Sequence, residues 1–134
     1  AHPIAGAAAL KTLEIIEREK MLEKTTKSGK LLHELLRANF ENHPLVGEIR
    51  GHGLIGAVEF VNAKNPAVAF PTSEKIGPRV AKRSMELGVI TRALPAADTV
   101  AFSPPFVVTD SELEQMVTTV RKAVDDIAHE IGRM

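Results

Sequence analysis

The chain comprises 134 residues, 44% hydrophobic and 25% charged, which suits one globular domain with a modest core. Seventeen basic residues balance seventeen acidic ones, and five Phe stand without any Trp or Tyr. With no basic run and little to stack on bases, nucleic-acid binding is excluded from the reading. The absence of cysteine removes disulfides and thiolate chemistry and fits a cytoplasmic location. The longest apolar run is far too short to span a bilayer.

Near-zero net charge gives a small domain little protection against association, which fits a chain that works with partners. The amino terminus, Ala1-His2-Pro3-Ile4, lacks both the charged region of a signal peptide and an initiator Met. Residues 1–134 are therefore expected to be a single domain belonging to a longer chain.

Pro3 suits the first turn of a helix, where a missing N–H costs nothing. Ile4 to Glu19 reads as that helix, with Ala9, Leu13 and Ile16 on one stripe and Gly6-Ala7-Ala8-Ala9 keeping it narrow. A second helical pattern covers Met21 to Phe40, through Leu22, Thr25, Gly29, Leu32, Leu36 and Phe40. Gly29 weakens a helix, and its place on the apolar stripe points to close packing. His43-Pro44 closes the helical region, because the residue before proline avoids the α conformation.

Val46–Arg50 and Leu54–Val61 read as strands joined by a tight turn at Gly51-His52-Gly53. Leu54, Gly56, Val58 and Phe60 form a core face, and the opposite face is apolar except for Glu59, which predicts covering on both sides. Asn62 to Pro71 reads as a loop. Thr72 or Ser73 is expected to cap a helix from Glu74 to Leu87 with Ile76, Val80 and Leu87 inward, ended by Gly88. Two short strands follow at Val89–Thr91 and Thr99–Ser103, with Arg92, Pro95 and Asp98 in the irregular segment between them. Pro104-Pro105 stops any ladder, since neither residue has an N–H to donate. Thr109-Asp110-Ser111-Glu112 is a capping box. It opens an amphipathic helix with Leu113, Met116, Val117, Val120, Val124, Ile127 and Ile131 on one stripe. The order ααββαββα predicts an α+β fold: a small, mainly antiparallel sheet of three to four strands with helices mostly on one face.

Little of this pattern carries chemistry. Gly51-His52-Gly53-Leu54-Ile55-Gly56 spells G-x-G-x-x-G, but the glycines open a strand-like run instead of a helix, which rejects a dinucleotide site. None of His2, His33, His43, His52 and His129 has zinc-site spacing, and most read as surface or capping residues. Pro104 directly after Ser103 removes the N–H that an oxyanion hole would use. Glu59 is a carboxylate of raised pKa or, the preferred reading, sits at an edge or pairs with a basic residue such as Arg50. Arg92 is the best remaining candidate, because a planar guanidinium grips a carboxylate through two parallel hydrogen bonds. Alone, a loop arginine is more often simply solvated.

Three stretches taken in order carry a resemblance. They are His2-Pro3-Ile4-Ala5-Gly6-Ala7-Ala8-Ala9-Leu10 with Leu13 to Glu19, His43 to Glu59, and Gly88-Val89-Ile90-Thr91-Arg92 leading to Asp98 through Phe106. In this order they resemble the C-terminal small domain of class III (omega-type) pyridoxal-phosphate aminotransferases of fold type I. The resemblance implies a homodimeric enzyme that moves an amino group from an amine or ω-amino acid to a keto acid such as pyruvate. It also implies that the catalytic lysine and most cofactor contacts lie upstream of His2-Pro3, in a large domain that this sequence does not include. No catalytic, cofactor-binding or metal residue is assigned here, and no pyridoxal phosphate is expected on this segment alone. Arg92 matches the mobile arginine that, in omega-transaminases, pairs with the substrate carboxylate. In other branches that arginine stands three residues before the two prolines, where this chain has Ala101. Two other classes stay open from the residues themselves: a stand-alone module that binds a small acid through Arg92, and a structural dimerisation domain.

Overall fold

A computed structural model describes residues 2–95 and 97–134. Pro3 opens α1 (Pro3–Arg18), and a left-handed Lys20 turns the chain into α2 (Met21–Phe40). The stripe predicted for α2 is buried at Gly29, Leu32, Leu36 and Phe40, but Met21 takes the buried place expected of Leu22, which faces solvent. Gly29 marks a close approach: a Cβ there would lie 2.5 Å from the Gly53 carbonyl oxygen. The missing side chain lets α2 press directly on the turn of the following hairpin.

That hairpin pairs β1 (Val46–His52) with β2 (Ile55–Phe60) in antiparallel register, from Val46 opposite Phe60 to His52 opposite Ile55. The ladder runs two residues beyond the expected end of β1, and the turn is Gly53-Leu54. Gly53 supplies its left-handed conformation at φ 54°. Gly56 sits within the ladder, where a Cβ would strike Leu36 at 2.5 Å.

The segment Asn62 to Pro71, expected to be a loop, contains a second small ladder, β3 (Ala63–Lys64) with β4 (Ala67–Val68). Next comes α3 (Ile76–Glu86), which begins two residues later than expected. Neither Thr72 nor Ser73 caps it. The N-cap is Lys75, left-handed and without a side-chain bond. Strand β5 (Arg92–Leu94) replaces the strand expected at Val89–Thr91, and β6 (Thr99–Phe102) follows. Thr109 caps α4 (Asp110–Glu130) with the full capping box.

The four-stranded sheet has the order β1-β2-β6-β5 and is antiparallel throughout. Helices α2 and α3 pack on one face, and α4 packs on both of them. The core joins Leu32, Leu36 and Phe40 of α2 to Val58 and Phe60 of β2, Val100 and Phe102 of β6, and the α4 stripe from Leu113 to Ile127. Burial of apolar area at such positions is the main stabilising term, about 1.5–3 kcal/mol for each large side chain. The other face of the sheet is open at its hairpin end, with Ile55 61% exposed. The expected second cover does not come from the described residues. Nor does α1 bury a single side chain, and Ile4 (75%) and Leu10 (71%) stand in solvent. Among the described residues, no helix is long and apolar enough to cross a membrane.

Candidate functional site

Arg92 owes its position to two local devices. The end of α3 is closed by Gly88 N–H donating to Met85 O (3.0 Å) and Val89 N–H donating to Ser84 O (2.9 Å). Gly88 takes a left-handed φ of 96°, which favours glycine at a helix end. Val89 is thereby used in ending the helix and does not start a strand. The strand begins instead at Arg92, whose partner is Ala101, followed by Ala93 opposite Val100 and Leu94 opposite Thr99. The arginine expected in a loop is therefore the first residue of an edge strand, with its backbone fixed by a ladder.

Its side chain is exposed and lines a cleft of about 500 Å³ between the β5–β6 edge and the first turns of α4. Ile90, Thr91, Ala101, Pro104, Val107 and Met116 supply a largely apolar wall, and Glu112 stands at the α4 end. The Thr109 backbone N–H and hydroxyl both donate to Glu112, which holds its carboxyl below the ordinary value. Glu112 is thus ionised and already occupied by its capping bonds. Arg92 makes no ion pair or hydrogen bond among the described residues. By contrast, Arg50, Arg79, Arg83 and Arg121 each face carboxylates. Arg37 is likewise unpaired among the described residues, but it stands on the outside of α2 beside Lys30 and His33. A free guanidinium in an apolar cleft is chemically suited to an incoming carboxylate.

Ala101 lines the same cleft as its cross-strand neighbour. Side chains at such paired positions start about 5 Å apart, so an arginine at either one would enter the same space. The small Ala101 leaves that space to Arg92.

The remaining candidates resolve into structural roles. Glu59 pairs with Arg50, which also binds Glu48 at 2.9 Å. The side chains of Arg50 and Ala57, like those of Ala101 and Arg92, belong to one row across the open face. Gly51, Gly53 and Gly56 belong to the hairpin, not to a phosphate loop. His43 is not a surface histidine: its ring is buried, accepting from Leu45 N–H at Nδ1 (3.1 Å) and facing Asp125 Oδ1 with Nε2 (3.1 Å). Nε2 therefore carries the proton. Burial, then the Arg121 guanidinium, lowers its pKa against the opposing pull of Asp125. Only the neighbouring Pro44 was visible in the sequence; no signal there marked His43 as interior.

No lysine lines the Arg92 cleft, and the described lysines lie on the surface, apart from the half-buried Lys64, whose Nζ contacts Glu41 O at 3.3 Å. Among the described residues, those lining this cleft do not fit a cup for pyridoxal phosphate, which needs a lysine and a ring of phosphate donors at one place.

The sequence pattern of the family described as Aminotransferase class-III matches residues 1–124. The diaminobutyrate–2-oxoglutarate transaminase of Halomonas elongata is 36% identical over 98% of this chain, which spans 28% of that protein. The putrescine–pyruvate aminotransferase of Pseudomonas aeruginosa is 34% identical over 95% of this chain and 27% of its own length. Among solved structures, the omega transaminase from Pseudomonas jessenii in complex with PMP superposes with a TM-score of 0.91 at 41% identity. That match covers 98% of this chain and 28% of the other. The chain thus spans little more than a quarter of the length of these relatives.

Proposed function

The chain belongs to the class-III aminotransferase family, and we propose that it is the C-terminal small domain of a longer, pyridoxal-phosphate-dependent transaminase. In that role it serves amino transfer from an amine or ω-amino acid to a keto acid such as pyruvate. The names of the relatives and the quarter-length match support this assignment. The lysine and the cofactor contacts are assigned to the large domain upstream, and a second subunit completes a homodimer. A cysteine-free chain that needs no oxidising compartment is assigned to the cytoplasm.

The carrying observation is Arg92, a guanidinium without a partner among the described residues, fixed at the start of β5 in an apolar cleft. We assign it to the substrate carboxylate. In the full-length protein, Arg92→Ala is expected to raise KM for pyruvate by about 10- to 100-fold, the loss of one charged, bidentate contact. Turnover of a primary amine with an aldehyde acceptor, a pair without any carboxylate, is expected to stay within about twofold. Equal losses with both substrate pairs would remove Arg92 from this role.

A further inference from the structure

Helix α3 lacks the usual means of ending at its amino terminus. Lys75 offers no side-chain bond, and the first turn contains no acidic residue. The missing acceptor comes from elsewhere in the chain: Gly77 N–H donates to Asp98 Oδ1 at 2.8 Å. The carboxylate also lies where the positive end of the helix dipole favours an anion. Asp98 is held a second time through its backbone, its carbonyl accepting from Phe60 N–H at 2.7 Å at the end of the β2–β6 ladder. The approach is close because Gly77 has no side chain; a Cβ there would lie 3.1 Å from Thr99 N and 3.4 Å from the Asp98 carbonyl carbon.

Asp98 is thereby the point where α3, β2 and β6 meet. From this point α3 runs about 16 Å to Gly88, and the chain emerging from that end reaches Arg92 four residues later. On the other side, Asp98 immediately precedes β6, whose Ala101 is the ladder partner of Arg92. A shift of α3 along its axis moves the entry to β5 against the fixed β6. The carboxylate that pins α3 to the start of β6 resists that shift.

We propose that Asp98 is a positioning residue for substrate recognition, setting through α3 and β6 the place from which Arg92 reaches a carboxylate. This rests on the assignment of Arg92 above. Asp98 touches no substrate in this role.

The test uses the full-length protein and two substrate pairs: pyruvate with an amine, and an aldehyde with an amine lacking any carboxylate. Asp98→Ala is expected to raise KM for pyruvate by about tenfold, the scale on which small misplacements are felt. It should leave kcat with pyruvate, and both constants for the carboxylate-free pair, within about twofold. Asp98→Asn should restore the pyruvate KM, because its amide oxygen accepts the same bond from Gly77. Gly77→Ala provides an independent route if Asp98→Ala folds poorly: it keeps the carboxylate but presses α3 away from the Asp98–Thr99 backbone, and it should show the same selective rise. Parallel losses on both pairs, or an unchanged pyruvate KM in Asp98→Ala and Gly77→Ala beside a defective Arg92→Ala, overturn the proposal alone. An Arg92→Ala protein with normal pyruvate kinetics removes the underlying assignment and the proposal with it.

Discussion

At the scale of single residues, the pairing of Arg92 with Ala101 is expected to let either position carry the arginine. Both side chains enter one cleft from adjacent strands. The double substitution Arg92→Ala with Ala101→Arg is therefore expected to recover most of the pyruvate KM that Arg92→Ala loses, measured by steady-state kinetics on the full-length protein. No recovery would show that the cleft reads position as well as charge. His43 sets a different expectation. Its folded pKa lies below the ordinary 6.5 because burial and Arg121 disfavour the imidazolium. The unfolded chain thus binds this proton more readily than the folded one. Stability is fully present above about pH 6.5 and falls as the pH drops below it, levelling off only beneath the lowered folded value. Urea midpoints at pH 7.5 and 5.5 should differ in that sense, and the difference should shrink in His43→Gln. The Thr109 cap belongs here too: Thr109→Ala removes the bond to Glu112 N–H and is expected to cost about 1 kcal/mol in chemical denaturation.

At the scale of elements, helices separate into those held by packing and one that is not. Helix α2 is locked against the β1–β2 turn through Gly29. Gly29→Ala raises helix propensity, worth up to about 1 kcal/mol, but drives a methyl group into the Gly53 backbone at 2.5 Å. Backbone cannot yield as a side-chain tip can, so the clash wins, and a net loss of about 1–3 kcal/mol is expected. An unchanged or raised melting temperature would contradict this. Helix α3 is tied to α4 by Arg83 and Asp126 at 2.8 Å, a contact that lowers the Asp126 pKa. Both partners are partly exposed, so the pair contributes direction more than stability. Helix α1 touches α2 and half-buries Ile15 and Ile16 but buries no side chain fully, and a Cβ on Gly6 of its narrow Gly-Ala run would meet no atom within 4 Å.

At the scale of the whole molecule, the open sheet face, the bare α1 and the Arg92 cleft are consistent with a segment that completes its site by joining other chain. The isolated 134 residues, mixed with pyridoxal phosphate, an amine and pyruvate, are expected to show no turnover and no cofactor absorbance shift; robust turnover would refute the division of labour proposed above. What the sequence determined by itself was whatever depends on near neighbours along the chain. The α4 stripe, the Thr109–Glu112 box and the core face of β2 are set by helical or alternating periodicity and by local backbone chemistry, and they stand where the pattern placed them; the hairpin was legible too, but its turn lies at Gly53-Leu54, with Gly51 and His52 in the ladder. The family resemblance likewise needed only motif order. Tertiary structure decided what depends on partners far away. The β5 register follows from β6, so Arg92 moved from a loop to a strand. The α3 cap comes from Asp98, 21 residues on. The burial of His43 follows from Asp125, 82 residues on. A polar side chain has several possible partners along an unfolded chain, and only packing selects one of them.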